Sequence, residues 1–165
     1  MIDMKRLALK YGTDKANNDQ YLEAYEEHFS KIKKSAENIL EIGVKRAPVG
    51  EEGGARSLKL WKEYFDGANI FGLDIDPENK KYEEEKIKIY IGNQGDHQFL
   101  DQMVKDIINN DFEQNQDLNT RPIIENSKLF DVIIDDGSHV NELTLASFDF
   151  LWPFIKSGGI YLIED

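Results

Sequence analysis

Short apolar runs alternate along this chain with segments of helical periodicity, and this alternation limits its fold more than any other feature. The runs have the length and the flanking glycines or charges of buried strands. They are Asn38–Gly43, Ile70–Asp74, Ile87–Ile91, Phe130–Ile134 and Ile160–Ile163. Helices are predicted over Gln20–Lys34, Ser57–Phe65, Phe99–Ile108 and Glu142–Ile155, the last broken near Pro153. Because crossovers of this length join parallel strands, we predict an α/β fold with a doubly wound parallel sheet.

Length and composition narrow the function classes. A chain of 165 residues is typical of one domain. Its 32 acidic and 20 basic residues give a net charge of -12, which repels polyphosphate and anionic lipid, so neither nucleic acid nor a membrane is an expected partner. The absence of cysteine excludes a thiolate metal site and a cysteine nucleophile. Without a long apolar run or a signal-peptide core in Met1–Lys10, we expect a cytoplasmic protein.

Acidic residues or glycines follow each predicted strand. The five strand ends are Glu41–Gly43, Asp74–Asp76, Gln94–Asp96, Asp135–Gly137 and Glu164–Asp165. The carboxyl ends of parallel strands meet at one edge of a sheet, where ligands bind. A single acid in such a place is equally well explained as a helix cap or a solvated turn residue, but five such ends together favour a ligand site.

The first two strand ends favour one cofactor over another. Asp74 is placed to accept hydrogen bonds from the two hydroxyls of a ribose, which suits any adenosine cofactor. A dinucleotide requires a Gly-x-Gly-x-x-Gly turn after the first strand, and that turn is absent here. Glu41, just before Gly43, would repel a pyrophosphate but would attract a cationic group. S-adenosylmethionine, with its sulfonium and ammonium groups, fits this pattern better.

Motifs along essentially the whole chain resemble those of the macrocin and mycinamicin type of sugar O-methyltransferase. They are Tyr11–Lys15, Tyr25-Glu26, Ile39–Gly43, Gly53–Trp61, Gly72–Asp76, Gln94–Asp96, Asp135–His139 and Ile163–Asp165. The family consists of metal-dependent class I methyltransferases that modify deoxysugars on natural products. The resemblance implies a Rossmann-like fold, S-adenosylmethionine and Mg²⁺ as cofactors, and a sugar-containing small molecule as the substrate.

The resemblance also implies roles for individual residues. The expected cofactor-binding residues are Thr13, Glu41, Gly43, Ser57, Asp74 and Asp96. The expected magnesium ligands are Asp136, Glu164 and Asp165, and the expected catalytic residues are Asp136 and the general base His139. Taken alone, Thr13 is equally explained by a loop that leads into a helix, and Ser57 by a cap of the helix that it begins.

The chemistry supports the metal and the base independently of the family. Mg²⁺ prefers carboxylate and water oxygens, and carboxylates gathered in one cleft without a cation repel each other and take up protons. Among the three histidines, His28 borders the apolar face of a predicted helix and His97 lies in the expected adenine loop. His139 follows Asp136 by three residues on a glycine turn, where a group of near-neutral pKa can abstract a proton. The alternative is a histidine that only bonds to this turn.

The organisation of the chain and two other functions stay open at this level. We expect a helical cap segment over 1–37 and a Rossmann-like core over 38–165 of one domain. Class I methyltransferases normally continue beyond the fifth strand. The ending at Asp165 therefore predicts either a truncated chain or a naturally short relative that completes itself by forming homo-oligomers, since an uncovered edge strand favours self-association. The alternatives are a magnesium-dependent methyltransferase of another small acceptor and a non-catalytic remnant that binds S-adenosylmethionine.

Overall fold

A computed structural model describes residues 3–17, 19–44, 54–115 and 127–164 of the chain. Within these residues the strands are β1 (Asn38–Ile42), β2 (Asn69–Asp74), β3 (Ile87–Ile91), β4 (Phe130–Asp135) and β5 (Ile155–Ile163). The α-helices are α1 (Asp3–Tyr11), α2 (Asp19–Phe29), α3 (Arg56–Tyr64), α4 (His97–Asn115) and α5 (Asn141–Leu151). Short 3₁₀ turns cover Asp14–Asn17, Pro77–Tyr82 and Trp152–Phe154. Asp165, one of the expected magnesium ligands, lies outside the described residues.

The five strands form one parallel sheet in the order β3-β2-β1-β4-β5. The order reverses at β1, whose Ile39 pairs with Ile70 of β2 on one side and with Val132 of β4 on the other. The predicted doubly wound parallel sheet is therefore confirmed. The reversal point places the carboxyl ends of β1 and β4 side by side, which is where such folds bind ligands.

Two apolar clusters cover the two faces of the sheet. On one face α1, α2 and α3 bury aromatic side chains, among them Tyr25, Phe29 and Trp61. On the other face α4 packs Leu100, Val104 and further apolar residues at helical spacing against the sheet. Because a parallel sheet needs both of its faces covered, these two layers stabilise the arrangement of strands that forms the site.

The N-terminal helices belong to the same core as the sheet. Helix α1 was not predicted from the sequence, although Met4, Leu7 and Ala8 are buried at helical spacing. Helix α2 ends at Phe29, five residues before the predicted end, because the chain turns there before it enters β1. The expected boundary at residue 37 stays a prediction, since α1 and α2 share one apolar cluster with the strands.

Other elements differ from the prediction at their ends. Helix α3 begins after Ala55, which has a left-handed φ of 54°, so Ser57 lies inside the helix and is not its cap. Helix α5 ends at Leu151, and Pro153 breaks it as predicted. Strand β5 begins at Ile155 rather than Ile160, with an irregular register opposite Phe130. Within the described part of the chain, no helix has the length and apolar character that crossing a bilayer requires.

Candidate functional site

Two adjoining cavities open at the carboxyl ends of β1, β2 and β4. The first has a volume of about 180 Å³ and the second about 300 Å³. Gly43, Asp74 and Gly137 line both cavities, so the two are neighbouring parts of one cleft. The first cavity extends to Ile75, Asn93, Gln94, Ser138 and Leu143, and the second to Asp14, Val44, Asp136 and His139.

Asp74 projects from the end of β2 with its carboxylate fixed by backbone groups. Its Oδ2 accepts a hydrogen bond from the Val44 N–H at 2.7 Å, and its Oδ1 accepts one from the Asp76 N–H at 2.7 Å. Since each carboxylate oxygen has a further lone pair, the group can still accept two hydroxyls of a ribose. Ile75, which is 71% exposed, and Leu143 give the first cavity apolar walls.

Gly43 lies where the turn after β1 touches the turn after β4. It has a φ of +94°, and a Cβ atom built on it would lie 2.0 Å from the carbonyl oxygen of Asp136. No side chain fits in this space. A residue without a side chain is therefore required at this position, as expected for a turn that a ligand and a second backbone both approach closely.

Glu41 and Ser57 lie beneath this cleft. Glu41 is fully buried, and its Oε2 accepts a hydrogen bond from the Ser57 hydroxyl at 2.6 Å. Burial raises the pKa of Glu41 to about 7, and this effect is opposed by Lys15 and Ser57. Both residues support the floor of the site, and their direct contact with a cofactor stays a prediction.

Lys15 brings a positive charge into the acidic cluster. Its Nζ lies 2.8 Å from Oδ2 of Asp136 and 3.5 Å from Oε1 of Glu41, and it also contacts Oε1 of Glu164. Oxygens of these three carboxylates all lie within 4.8 Å of one another. Burial lowers the pKa of Lys15, but the three carboxylates outweigh burial and raise the pKa overall. The expected convergence of acids is therefore present, and an ammonium group provides part of the compensating charge.

Glu164 is held by a second group besides Lys15. The Tyr25 hydroxyl donates a hydrogen bond to Oε1 of Glu164, which lies immediately after β5. Burial raises the pKa of Glu164, while Lys15 and Tyr25 act in the opposite direction. Burial beside Glu164 also raises the pKa of the Tyr25 hydroxyl, so this group stays a donor. The N-terminal segment thus fixes one carboxylate of the predicted metal site.

His139 and Asp136 line the same cavity, as expected for the two predicted catalytic residues. The Nε2 atom of His139 lies 3.7 Å from Oδ1 of Asp136, too far for a hydrogen bond, and the imidazole is half-exposed. His139 has a φ of +53°, a conformation that residues other than glycine rarely adopt. Such strain is concentrated at functional sites. The role of His139 as a base stays a prediction.

Two expected cofactor residues have clear structural roles. Oδ1 of the exposed Asp96 accepts hydrogen bonds from the N–H groups of Gln98 and Phe99 at 2.9 and 3.2 Å, so Asp96 caps α4. Oγ1 of the buried Thr13 accepts a hydrogen bond from the Lys15 N–H at 3.2 Å and fixes the turn that carries Lys15. Their contacts with a cofactor stay predictions.

Three further site residues were not identified from the sequence. Lys15 and Tyr25 lie in motifs that carry the resemblance, but their sequence positions give no sign that they reach Glu164. Gln94 lies in the motif after β3 and bonds to the turn after β4. The signal that could have indicated Lys15 is electrostatic, because buried acids at one edge need a cation that some segment of the chain can supply.

Comparisons with known proteins were made for the whole chain. No protein-family model matches it. It is 33% identical over 164 residues to the 8-demethyl-8-(2-methoxy-alpha-L-rhamnosyl)-tetracenomycin-C 3'-O-methyltransferase of Streptomyces olivaceus. It is 32% identical over 164 residues to the mycinamicin VI 2''-O-methyltransferase of Micromonospora griseorubida and to the demethylmacrocin O-methyltransferase of Streptomyces fradiae. Each alignment covers 99% of this chain and 36% of the relative.

A solved structure extends the likeness to three dimensions. The MycE methyltransferase from the mycinamycin biosynthetic pathway, in complex with Mg, SAH and mycinamycin VI, superposes with a TM-score of 0.78 at 32% sequence identity. The match covers 99% of this chain and 37% of that protein. This chain thus spans little more than a third of the length of the proteins that it matches. It is a relative of the macrocin and mycinamicin type of sugar O-methyltransferase, as its motifs indicated, and it has the fold of the corresponding part of those proteins.

Proposed function

We propose that this chain is the catalytic part of a magnesium-dependent O-methyltransferase that transfers a methyl group from S-adenosylmethionine to a hydroxyl of a sugar-containing small molecule. The observation that carries the proposal is the pair of adjoining cavities, which share Gly43, Asp74 and Gly137. One cavity has the ribose-binding carboxylate, and the other has the carboxylate and imidazole of Asp136 and His139. Methyl transfer requires neighbouring sites that open into one cleft, because the acceptor oxygen must approach the methyl carbon in line with the bond from that carbon to sulfur.

The first cavity suits the adenosine part of the cofactor. The fixed carboxylate of Asp74 can accept both ribose hydroxyls, and the apolar side chains of Ile75 and Leu143 can cover a flat ring. The bare backbone at Gly43 allows close approach by the methionine part. The acidic cluster beneath the cleft favours a cofactor that carries positive charge.

The second cavity suits a hard divalent cation. Asp136, which lines this cavity, and the neighbouring Glu164 offer carboxylate oxygens within 4.8 Å of each other. Lys15 contacts Oδ2 of Asp136, and Oδ1 of the same carboxylate lies 3.7 Å from Nε2 of His139. The residues that would hold Mg²⁺ are Asp136, Glu164 and Asp165. When bound, the ion would lower the pKa of an acceptor hydroxyl and orient its oxygen.

His139 would remove the acceptor proton. The acceptor oxygen forms a bond to the methyl carbon, the bond from that carbon to sulfur breaks, and S-adenosylhomocysteine leaves with the electron pair. The proton of the hydroxyl passes to His139, whose imidazole is exposed to the cavity. Asp136, 3.7 Å away, would stabilise the imidazolium that forms.

The acceptor class is supported by the relatives, whose names specify rhamnosyl, macrocin and mycinamicin substrates. We also propose that the reaction takes place in the cytoplasm and that the chain self-associates through the edge strand β5. A methyltransferase of another small acceptor would retain cofactor binding and lack turnover with sugars. A non-catalytic remnant would bind the cofactor and produce no S-adenosylhomocysteine with any acceptor.

The test is calorimetric titration with S-adenosylmethionine, with and without Mg²⁺, on the wild type and Asp74→Asn. In the variant, the amide nitrogen of Asn replaces one carboxylate oxygen, so it faces a backbone N–H and can no longer accept its hydrogen bond. The charge-assisted hydrogen bond that this oxygen would accept from the ribose is lost as well. Affinity should therefore fall roughly 10- to 100-fold. Asp66→Asn, which removes the same charge from an exposed loop, should leave affinity unchanged. Absence of binding by the wild type would refute the proposal, and equal losses in both variants would refute the role of Asp74.

A further inference from the structure

The turn that carries the predicted catalytic residues is tied to a distant part of the chain by one buried side chain. Gln94, which follows β3, is only 6% exposed. Its Oε1 accepts a hydrogen bond from the Ser138 N–H at 3.0 Å, a separation of 44 residues along the sequence. Ser138 lies between Asp136 and His139, so this bond acts on the segment whose geometry the reaction requires.

The other end of the Gln94 amide is equally fixed. Its Nε2 donates to Oδ1 and Oδ2 of Asp135 at 3.2 and 3.3 Å, and Oδ1 of Asp135 also accepts a bond from the Gly137 N–H at 3.3 Å. The hydroxyl of Ser147 donates to Oδ2 of Asp135 at 2.8 Å. Donor and acceptor of the amide are therefore both used, and its orientation is determined by its partners.

The side chain of Gln94 also packs directly against the turn. A Cβ atom on Gly137 would lie 2.3 Å from Oε1 of Gln94, so the amide passes directly over the glycine. The next residue but one, His139, has the uncommon φ of +53°. A strained backbone conformation persists only where the surrounding contacts fix it. Within the described chain, Gln94 supplies such a contact to the backbone one residue before His139.

Gln94 also lines the first cavity, together with Ser138. We propose that Gln94 is a positioning residue, which fixes the Asp136–His139 turn and links its geometry to the cavity that receives the cofactor. This inference rests on the proposed function for its catalytic consequence. The structural part, a bond that holds the turn, does not depend on turnover.

The experiment compares Gln94→Met with Ser147→Ala. Methionine retains the length of the side chain but removes both its donor and its acceptor. The Ser147 hydroxyl donates to Asp135 and accepts from Nε2 of Gln94 at 3.3 Å, but it makes no bond to the Ser138 N–H. Ser147→Ala therefore disturbs the same buried network and keeps the bond from the Ser138 N–H to Oε1 of Gln94, so it is the matched control. Native-state hydrogen exchange of the Ser138 amide, measured by NMR, should accelerate at least about tenfold in Gln94→Met and stay within about threefold in Ser147→Ala.

Kinetics provide the second measurement. Where the wild type turns over, Gln94→Met should lower kcat by about tenfold and change KM for S-adenosylmethionine less than about threefold, since the carboxylate of Asp74 and the turn at Gly43 are unchanged and Gln94 is only one of the residues that line the first cavity. A merely structural role would lower kcat in both variants in proportion to their loss of stability. If the wild type binds the cofactor without turnover, the proposed function fails and the exchange data alone decide the role of Gln94.

A variant-free measurement covers the case in which Gln94→Met does not fold. The wild-type chain should show a scalar coupling across the hydrogen bond between the Ser138 amide nitrogen and the Gln94 side-chain carbonyl carbon. Detection of this coupling, with a protected Ser138 amide, supports the inference. A Ser138 amide that exchanges in the wild type as fast as an exposed loop amide overturns it, as do equal effects of the two variants.

Discussion

Replacement of Lys15 by methionine tests the electrostatics of the acidic cluster most directly. Methionine approximates the length of lysine and fills the same buried space, so the main change is the loss of one positive charge. The Lys15 side chain is 2% exposed, and the side chains of Glu41 and Glu164 are 0% and 5% exposed. Solvent therefore cannot replace the ammonium group.

The loss of stability in Lys15→Met follows from the proton that must replace the positive charge of the ammonium group. Glu41 already binds a proton part of the time at pH 7, because its pKa is raised to about 7. To restore the lost charge, a further buried carboxyl, Glu164, must bind a proton, and its ordinary pKa is 4.5. At pH 7 this protonation costs about 3 kcal/mol, because each unit between the pH and the pKa costs about 1.4 kcal/mol. At pH 5 the same step costs less than about 1 kcal/mol. The value at pH 7 agrees with the roughly 3–5 kcal/mol lost when one partner of a buried ion pair is removed.

Urea denaturation at pH 7 and pH 5, in the presence of a chelator, measures both values. Lys62→Met is the matched control, since it makes the same change of net charge at an exposed pair with Glu84, 3.0 Å apart. An exposed pair contributes about 0–1 kcal/mol, so the control should lose little stability at either pH. A loss below about 1 kcal/mol for Lys15→Met at pH 7, or an equal loss at both pH values, would refute the reasoning.

Two further predictions concern neighbouring positions. Because the pKa of Glu41 is raised to about 7 in the folded state, that state binds more protons than the unfolded chain between about pH 4.5 and pH 7, and Glu41 lowers stability as the pH rises. In urea denaturation, the free energy of unfolding of Glu41→Gln should rise by about 3 kcal/mol relative to that of the wild type as the pH increases across this range. The same pH dependence of stability in both proteins would contradict the assignment. Gly43→Ala should lower the melting temperature more than Gly67→Ala does, and it should abolish the binding of S-adenosylmethionine measured by calorimetric titration. Both glycines have a φ of +94°, but nothing lies within 4 Å of a Cβ on Gly67, so equal melting temperatures would exclude the clash with Asp136.

The sequence predicts the sheet because burial on both faces leaves a continuous apolar signal. β3 was predicted with its observed limits, and the limits of β1, β2 and β4 were each predicted to within one residue. β5 was predicted short because Lys156, Ser157 and two glycines interrupt its apolar pattern, at the place where its register against β4 shifts between Phe130 and Val132. Helix α1 was missed although Met4, Leu7 and Ala8 carry its pattern.

The position of the candidate site could be predicted from the sequence, but the contacts between its residues could be predicted less well. That acids would gather at one edge follows from parallel topology, and Asp136 and Glu164 do converge there. That Lys15 would join them does not follow, because contacts across 121 and 149 residues depend on how the N-terminal segment packs. Asp96 shows the converse difficulty, since a residue that caps a helix and one that binds a base look alike in sequence.

The contact of Gly43 with the backbone of Asp136 has a consequence for protein engineering. Gly43 and Gly137 line both cavities, so a side chain introduced at either glycine would enter the two together. Under the proposed function, the donor and acceptor sites therefore cannot be redesigned separately at these positions. Changes of acceptor preference are therefore better made at Asp14, which lines the second cavity and not the first.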